Sequence, residues 1–144
     1  MRFLFVFIIQ ISLIMPSVLK AQRLKSFNWS NRIILVFEDP VDKEPFEKQI
    51  KELKSDPEGL QERKILIFTI TDEVILDQDG KKYDIALLEE VRKLQSITNK
   101  FELVLIGLDG GIKLRVSERI SPDVLYSLID GMPLRQAEFQ RKKN

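Results

Sequence analysis

The sequence predicts an α/β domain in the order βαβαββα, with a four-stranded mixed sheet flanked by helices. Three observations predict it. Residues 33–37 and 65–70 are unbroken apolar runs of strand length, the pattern of strands buried on both faces. Residues 45–53 and 84–96 place apolar side chains at helical spacing between and after those runs. Residues 101–116, FELVLIGLDGGIKLRV, read as two strands joined by a turn, because Asp109-Gly110-Gly111 tolerates the positive φ that tight hairpins require.

The chain has 144 residues, a length that favours one domain. Its start is expected to be a leader. Arg2 supplies a positive region, residues 3–14 are apolar except Gln10 and Ser12, and residues 15–21 lead to the small Ala21. A signal peptide over residues 1–21 is expected, cut before Gln22, so that the product is exported to a periplasm or secreted. An uncleaved anchor is the alternative, but the apolar core is shorter than the roughly 20 residues that span a bilayer, and Pro16 interrupts it. No membrane span is expected after cleavage.

Loss of Arg2 and Lys20 with the leader leaves 21 basic against 22 acidic residues, a net charge of −1. That balance argues against a nucleic-acid partner, which calls for basic excess. There is no cysteine and no histidine. Thiol redox chemistry, Ser–His and Cys–His catalysis and histidine-ligated zinc are therefore excluded. No cofactor is expected.

In chain order, residues 22–30 are a polar lead-in whose Trp29 is expected to cover the end of the core rather than stack on a ligand. The strand at 33–37 should lie centrally. Pro45 fits the first turn of a helix whose Phe46, Ile50 and Leu53 share one face. Asp56-Pro57-Glu58-Gly59 should break that helix before the strand at 65–70, and strand, helix, strand predicts parallel pairing through a crossover. Residues 71–82 read as a polar loop. With Gly80 in the sixth place of a calcium loop, the first and twelfth would be Ile75 and Ala86, so the metal motif fails.

Residues 84–96 turn Leu87, Leu88, Val91 and Leu94 to one side. Ser121-Pro122-Asp123 is a helix start, with Val124, Leu125, Leu128 and Ile129 as the expected buried face and Gly131 and Pro133 as the stop. The domain is placed at residues 22–138. The segment from Leu134 onward, ending in a basic tail at 139–144, is expected to be solvated or frayed.

This order of elements is the core of the thioredoxin fold. Residues 104–115, the Ser-Pro-capped helix and the following Met132-Pro133-Leu134-Arg135 sharpen the match. The chain resembles a bacterial family of small exported thioredoxin-like domains of unknown function, related to the P-DUDES domains of vertebrate sushi-repeat extracellular proteins. The resemblance covers roughly residues 28–138 and implies a fold without implying an activity. Where redox-active members carry cysteine, this chain has Glu38-Asp39-Pro40-Val41-Asp42-Lys43. Where they carry a cis-proline it has Asn99-Lys100-Phe101.

Two groups of residues are candidates for a site. Glu38 and Asp39, with Asp42, sit at the carboxyl end of the central strand, where open α/β sheets place their ligands. They could act as acid and base if burial raised one pKa, or Asp39 and Asp42 could cap the following helix. Arg63 could pair with one of them. Lys113 and Arg115, two apart on a strand, should leave one face and with Asp109 could bind an anion or acidic partner, or could blunt a sheet edge. The reading is a non-catalytic exported module that binds or scaffolds an envelope or extracellular protein. The alternative is an enzyme using Glu38 and Asp39, with Arg63 or Arg115 holding an anionic substrate.

Overall fold

The computed structural model describes residues 23–143. The expected leader and its cleavage boundary lie outside them. The chain forms a five-stranded mixed sheet in the order β3-β2-β1-β4-β5. β1 (Arg32–Phe37) is buried along its whole length, pairing in parallel with β2 (Ile65–Ile70) and antiparallel to β4 (Glu102–Ile106). β5 (Ile112–Val116) returns beside β4 as the expected hairpin.

Because alternate side chains leave opposite faces, β1 divides the core in two. Ile33, Leu35 and Phe37 meet α3 (Ile85–Arg92) through Leu87, Leu88 and Val91. Ile34 and Val36 meet Leu53 of α1 (Glu44–Lys54), Leu60 of α2 (Pro57–Glu62), and Leu125 and Ile129 of α4 (Pro122–Asp130). Helices thus flank both faces of the sheet.

The sheet has five strands where four were expected. The fifth, β3 (Ile75–Asp77), lies within the stretch read as a polar loop and pairs antiparallel to β2, Ile70 opposite Ile75. Three residues are too few to display an alternation, and the Asp77–Gly80 turn hides them. Asp56 likewise starts a helix as well as ending one. Its carboxylate accepts from the Gly59 N–H at 2.9 Å and Pro57 occupies the first turn of α2.

Two burial expectations are corrected. Trp29 is 66% exposed with φ 67°, and its backbone N–H donates to the Leu108 carbonyl, so its main chain braces the hairpin turn from outside. Phe27, in a 3-10 turn at Leu24–Phe27, fills the core position instead, edge-on to Phe68 at 5.5 Å. On α4 the buried face is Leu125, Tyr126 and Ile129, while Val124 and Leu128 are exposed. The face is turned because Tyr126 packs under the Arg63 guanidinium, 4.2 Å from its ring centroid.

The segment after Pro133 is helical: α5 spans Pro133–Lys143. An ion network docks it. Arg135, 1% exposed, donates to Asp130 (3.1 Å), Glu138 (3.0 Å), the Glu62 carboxylate (2.7 Å) and the Glu62 carbonyl (2.9 Å). Arg63 makes a two-pronged pair with Asp130 at 3.0 and 2.6 Å. Arg32, also 1% exposed, donates through Nη1 to the Arg63 carbonyl at 2.9 Å and lies 3.3 Å from Glu138, which Lys64 also reaches.

Burial pushes the Asp130 and Glu138 carboxyls up, but their guanidinium and ammonium partners outweigh it and hold both below their usual values. A depressed folded pKa adds stability that is present in full above the unfolded value and is lost as pH falls through the folded one. Arg135→Met is expected to cost about 2–3 kcal/mol in urea unfolding, less than a fully buried pair because Glu62 and Asp130 keep contact with water. The wild-type chain should lose stability as pH falls below the ordinary carboxyl values of 3.8 and 4.5, and the variant should lose less over the same interval.

Candidate functional site

β1 ends at Phe37, and the chain turns sharply through Glu38–Lys43 into α1. The turn is built by Asp39. Its Oδ1 accepts from the backbone N–H groups of Val41 (2.9 Å) and Asp42 (3.2 Å), and its Oδ2 from the Lys100 ammonium (3.2 Å). Asp42 in turn accepts from the Glu44 N–H at 3.3 Å. Glu38 pairs with Lys43 at 3.4 Å. Both candidate carboxylates therefore have partners.

The Val41 N–H, with those of Asp42 and Lys100, holds the Asp39 carboxyl below the usual aspartate value despite its burial. A general acid at neutral pH needs the opposite shift. The arrangement suits a fixed anion that shapes a turn. Beside it opens a cleft of about 590 Å³ whose lining includes Asp39, Pro45, Ile97, Lys100, Phe101 and Arg119. Ile97 is 63% exposed and Val41, in the turn, 91%. A smaller hollow of about 230 Å³ adjoins it and reaches Glu102 and Arg115. The lining mixes the apolar Pro45, Ile97 and Phe101 with charges of both signs, Asp39, Asp42, Lys100, Glu118 and Arg119.

The remaining candidates are dispersed. Arg63 does not approach Glu38 or Asp39. It precedes β2, whose first residue pairs with Arg32, so it lies at the amino end of β1, roughly 20 Å away along a six-residue strand. Its partner is Asp130.

Lys113 and Arg115 do not form one patch. A register shift between Leu105 and Ile106 places Leu114 opposite Leu105 and Ile112 opposite Ile106, so Lys113 is the extra residue of a bulge and the alternation breaks there. Lys113 pairs with Asp109 at 2.7 Å. Arg115 instead reaches the other pole, donating to the buried Glu102 carboxylate at 2.9 Å and the Leu94 carbonyl at 2.6 Å. Among the described residues no cluster of acidic side chains has the arrangement to hold a metal ion. Asp77 of the failed calcium loop accepts from the Asp79 and Lys81 N–H groups and the Tyr83 hydroxyl, and burial together with this carboxylate pushes the Tyr83 phenol up to about 12.

Lys100, Ile97, Ser117, Glu118 and Arg119 are the cleft residues that sequence reasoning missed. Lys100 had a signal, because it stands at the place compared with the cis-proline of redox proteins. Ile97 and Arg119 had none, being single residues in loops brought together only by the sheet. The N-cap of α1 is Lys43, with no side-chain cap bond, so Asp39 anchors the turn before the helix instead of capping it, and Asp39→Ala should cost about 1 kcal/mol in chemical unfolding through the hydrogen bonds lost. Lys100→Ala should cost less than about 0.5 kcal/mol, because Lys100 is mostly exposed and an exposed pair contributes little.

Among the described residues no helix is long and apolar enough to cross a membrane. No curated protein matches the chain. A family model described as a domain of unknown function, DUF4174, matches residues 23–138, from the 3-10 turn before β1 to the Glu138 that anchors α5. The match takes in every strand, the Asp39 turn and the arginine network, and the chain belongs to the DUF4174 family.

Proposed function

We propose that the chain is a non-catalytic, exported, thioredoxin-like module that binds an envelope or extracellular protein through the cleft at the carboxyl end of β1. The observation that carries this reading is the state of Asp39. At the place where redox-active thioredoxin-like proteins keep cysteine, this chain keeps a carboxylate held ionised by two backbone N–H groups and Lys100. An enzyme using Glu38 and Asp39 would need one of them protonated near neutral pH, with Arg63 or Arg115 free to hold an anionic substrate. Asp39 is held in the other direction, Arg63 serves α4 at the far end of the sheet, and Arg115, at the near end, is engaged by the Glu102 carboxylate and the Leu94 carbonyl.

The sheet supports the finer fold reading. The run β2-β1-β4-β5, parallel then twice antiparallel, with helices on both faces, is the arrangement expected of a thioredoxin core, and β3 adds a strand at its edge. The resemblance to exported P-DUDES domains and the leader-like residues 1–21 support an extracytoplasmic location. An open cleft with exposed Ile97 and with Arg119 in its lining, next to a turn that exposes Val41, suits contact with another protein surface.

A photo-crosslinker placed at Ile97 in the native cell tests the reading. It should capture one predominant protein, with capture at least tenfold lower after Arg119→Glu, while a crosslinker at Ile112 on the outer hairpin strand should capture none. The recovered chain should begin at Gln22. Equal capture from both positions, or a chain retaining Met1 in the cytosol, would contradict the proposal.

A further inference from the structure

Three of the six glycines follow an aspartate, at Asp79-Gly80, Asp109-Gly110 and Asp130-Gly131. That dipeptide has chemistry of its own. With no Cβ on the glycine, its amide nitrogen can approach the carboxyl carbon of the preceding side chain and close an imide ring. The reacting form is the neutral carboxyl, because an ionised carboxylate cannot shed an oxygen. The carboxyl must also be free to swing toward the amide. Donors that hold the ion in place oppose both requirements.

Two of the three carboxylates are so held. Asp109 accepts from the Lys113 ammonium at 2.7 Å and from the Gly111 N–H at 3.0 Å. Asp130 accepts from Arg63 at 3.0 and 2.6 Å and from Arg135 at 3.1 Å. The Lys113 hydrogen bond draws the Asp109 carboxyl below its usual value, and at Asp130 burial pushes upward but the two guanidinium groups outweigh it. Asp79, by contrast, is exposed. Among the described residues its carboxylate accepts no hydrogen bond and joins no ion pair, and only its backbone N–H is used, donating to Asp77 at 3.0 Å.

The attacking amides do not separate the two turns. Gly80 and Gly110 share a left-handed φ, 82° and 80°, and each donates its N–H at 3.0 Å to the carbonyl three residues back, of Asp77 and of Gly107. Their surroundings do differ. A Cβ at Gly80 would meet nothing within 4 Å, whereas one at Gly110 would stand 2.7 Å from the Asn28 amide nitrogen, so the first turn has room to rearrange and the second is covered.

We propose that Asp79-Gly80 is the place where this chain converts spontaneously to isoaspartate, and that the conversion loosens β3. The Gly80 nitrogen bonds to Asp79 Cγ, and its proton leaves with the carboxyl OH as water. Water then adds to one of the two imide carbonyls. Opening at the side-chain carbonyl restores aspartate, and opening at the main-chain carbonyl leaves the chain running through Cβ and Cγ. Water is the only co-reactant. The extra main-chain carbon falls inside the turn that carries β3, where Asp77 Oδ1 accepts from both the Asp79 and the Lys81 N–H at 3.0 Å. Lengthening the chain between those donors spoils their common aim, and β3 has only three residues of pairing with β2 to hold it. This chemistry is independent of the binding function proposed above.

The purified full chain kept at physiological temperature in heavy-oxygen water tests the assignment, since each passage through the imide leaves one heavy oxygen on the reacting residue. Peptides spanning the three sites are scored for label, and for resistance to a protease that cuts at aspartate but not at isoaspartate. In the folded chain Asp79 should react at least about tenfold faster than Asp109 or Asp130, because those two must first give up charge-assisted hydrogen bonds. In denaturant the three should react at similar rates. Lys113→Met should accelerate Asp109 several-fold and leave Asp79 unchanged. In the converted chain the amides of Ile75–Asp77 should exchange with solvent faster, with those of β4 unaltered. Equal rates at the three sites in the folded chain, the same ranking in denaturant, no acceleration of Asp109 in Lys113→Met, or unchanged exchange in β3 after conversion would each overturn the proposal.

Discussion

β1 is buried on both faces and paired along both edges, and the placement of every other element answers to that constraint. A strand with no exposed face must be covered twice, so α3 lies on one side and α1, α2 and α4 on the other. A strand with no free edge needs two neighbours, which β2 and β4 supply. Only its two ends meet polar surroundings, and both ends carry a charged side chain that is itself almost wholly buried: Arg32 at the first residue and Asp39 just past the last.

The two ends solve the problem of a buried charge differently. Asp39 is matched by three donors, two of them backbone groups fixed by the turn it creates, so the anion and the loop stabilise each other. Arg32 is matched on one nitrogen and left open on two. A satisfied charge shapes the chain, whereas buried donors left without acceptors cost stability. This contrast separates a fully matched carboxylate from a partly matched guanidinium at opposite poles of one strand. The hairpin divides between the same two ends, its bulge leaving Lys113 to pair with Asp109 and Arg115 to neutralise Glu102 near the Asp39 end.

Much of the fold was legible because long, uniform patterns carry it. The unbroken apolar runs at 33–37 and 65–70 announce central strands, and the Asp-Gly-Gly turn announces the hairpin, with Gly110 at φ 80° as the turn requires. Short elements were not. β3 has three residues and one fully buried apolar side chain, too little to stand out from the turn around it. α5 lacks a strong apolar face because it docks through Arg135 and Glu138, so hydrophobic periodicity is blind to it. Of the candidate site residues, Glu38 and Asp39 were found from their position at a strand end. The separation of Lys113 from Arg115 was hidden, because a bulge is invisible in a two-residue alternation. Arg32 was hidden for the opposite reason: an arginine beginning an apolar run reads as a strand boundary, not as its first buried member.

The central proposal is that Asp39 is a structural anion, ionised at neutral pH, which leaves the end of β1 as a surface for contact. Titration of the Asp39 carboxyl carbon by NMR measures this directly. The account predicts a midpoint below the ordinary aspartate value of 3.8, still depressed in Lys100→Met because the Val41 N–H is the largest cause. A midpoint raised above that value would contradict it and would return Asp39 to the position of a general acid.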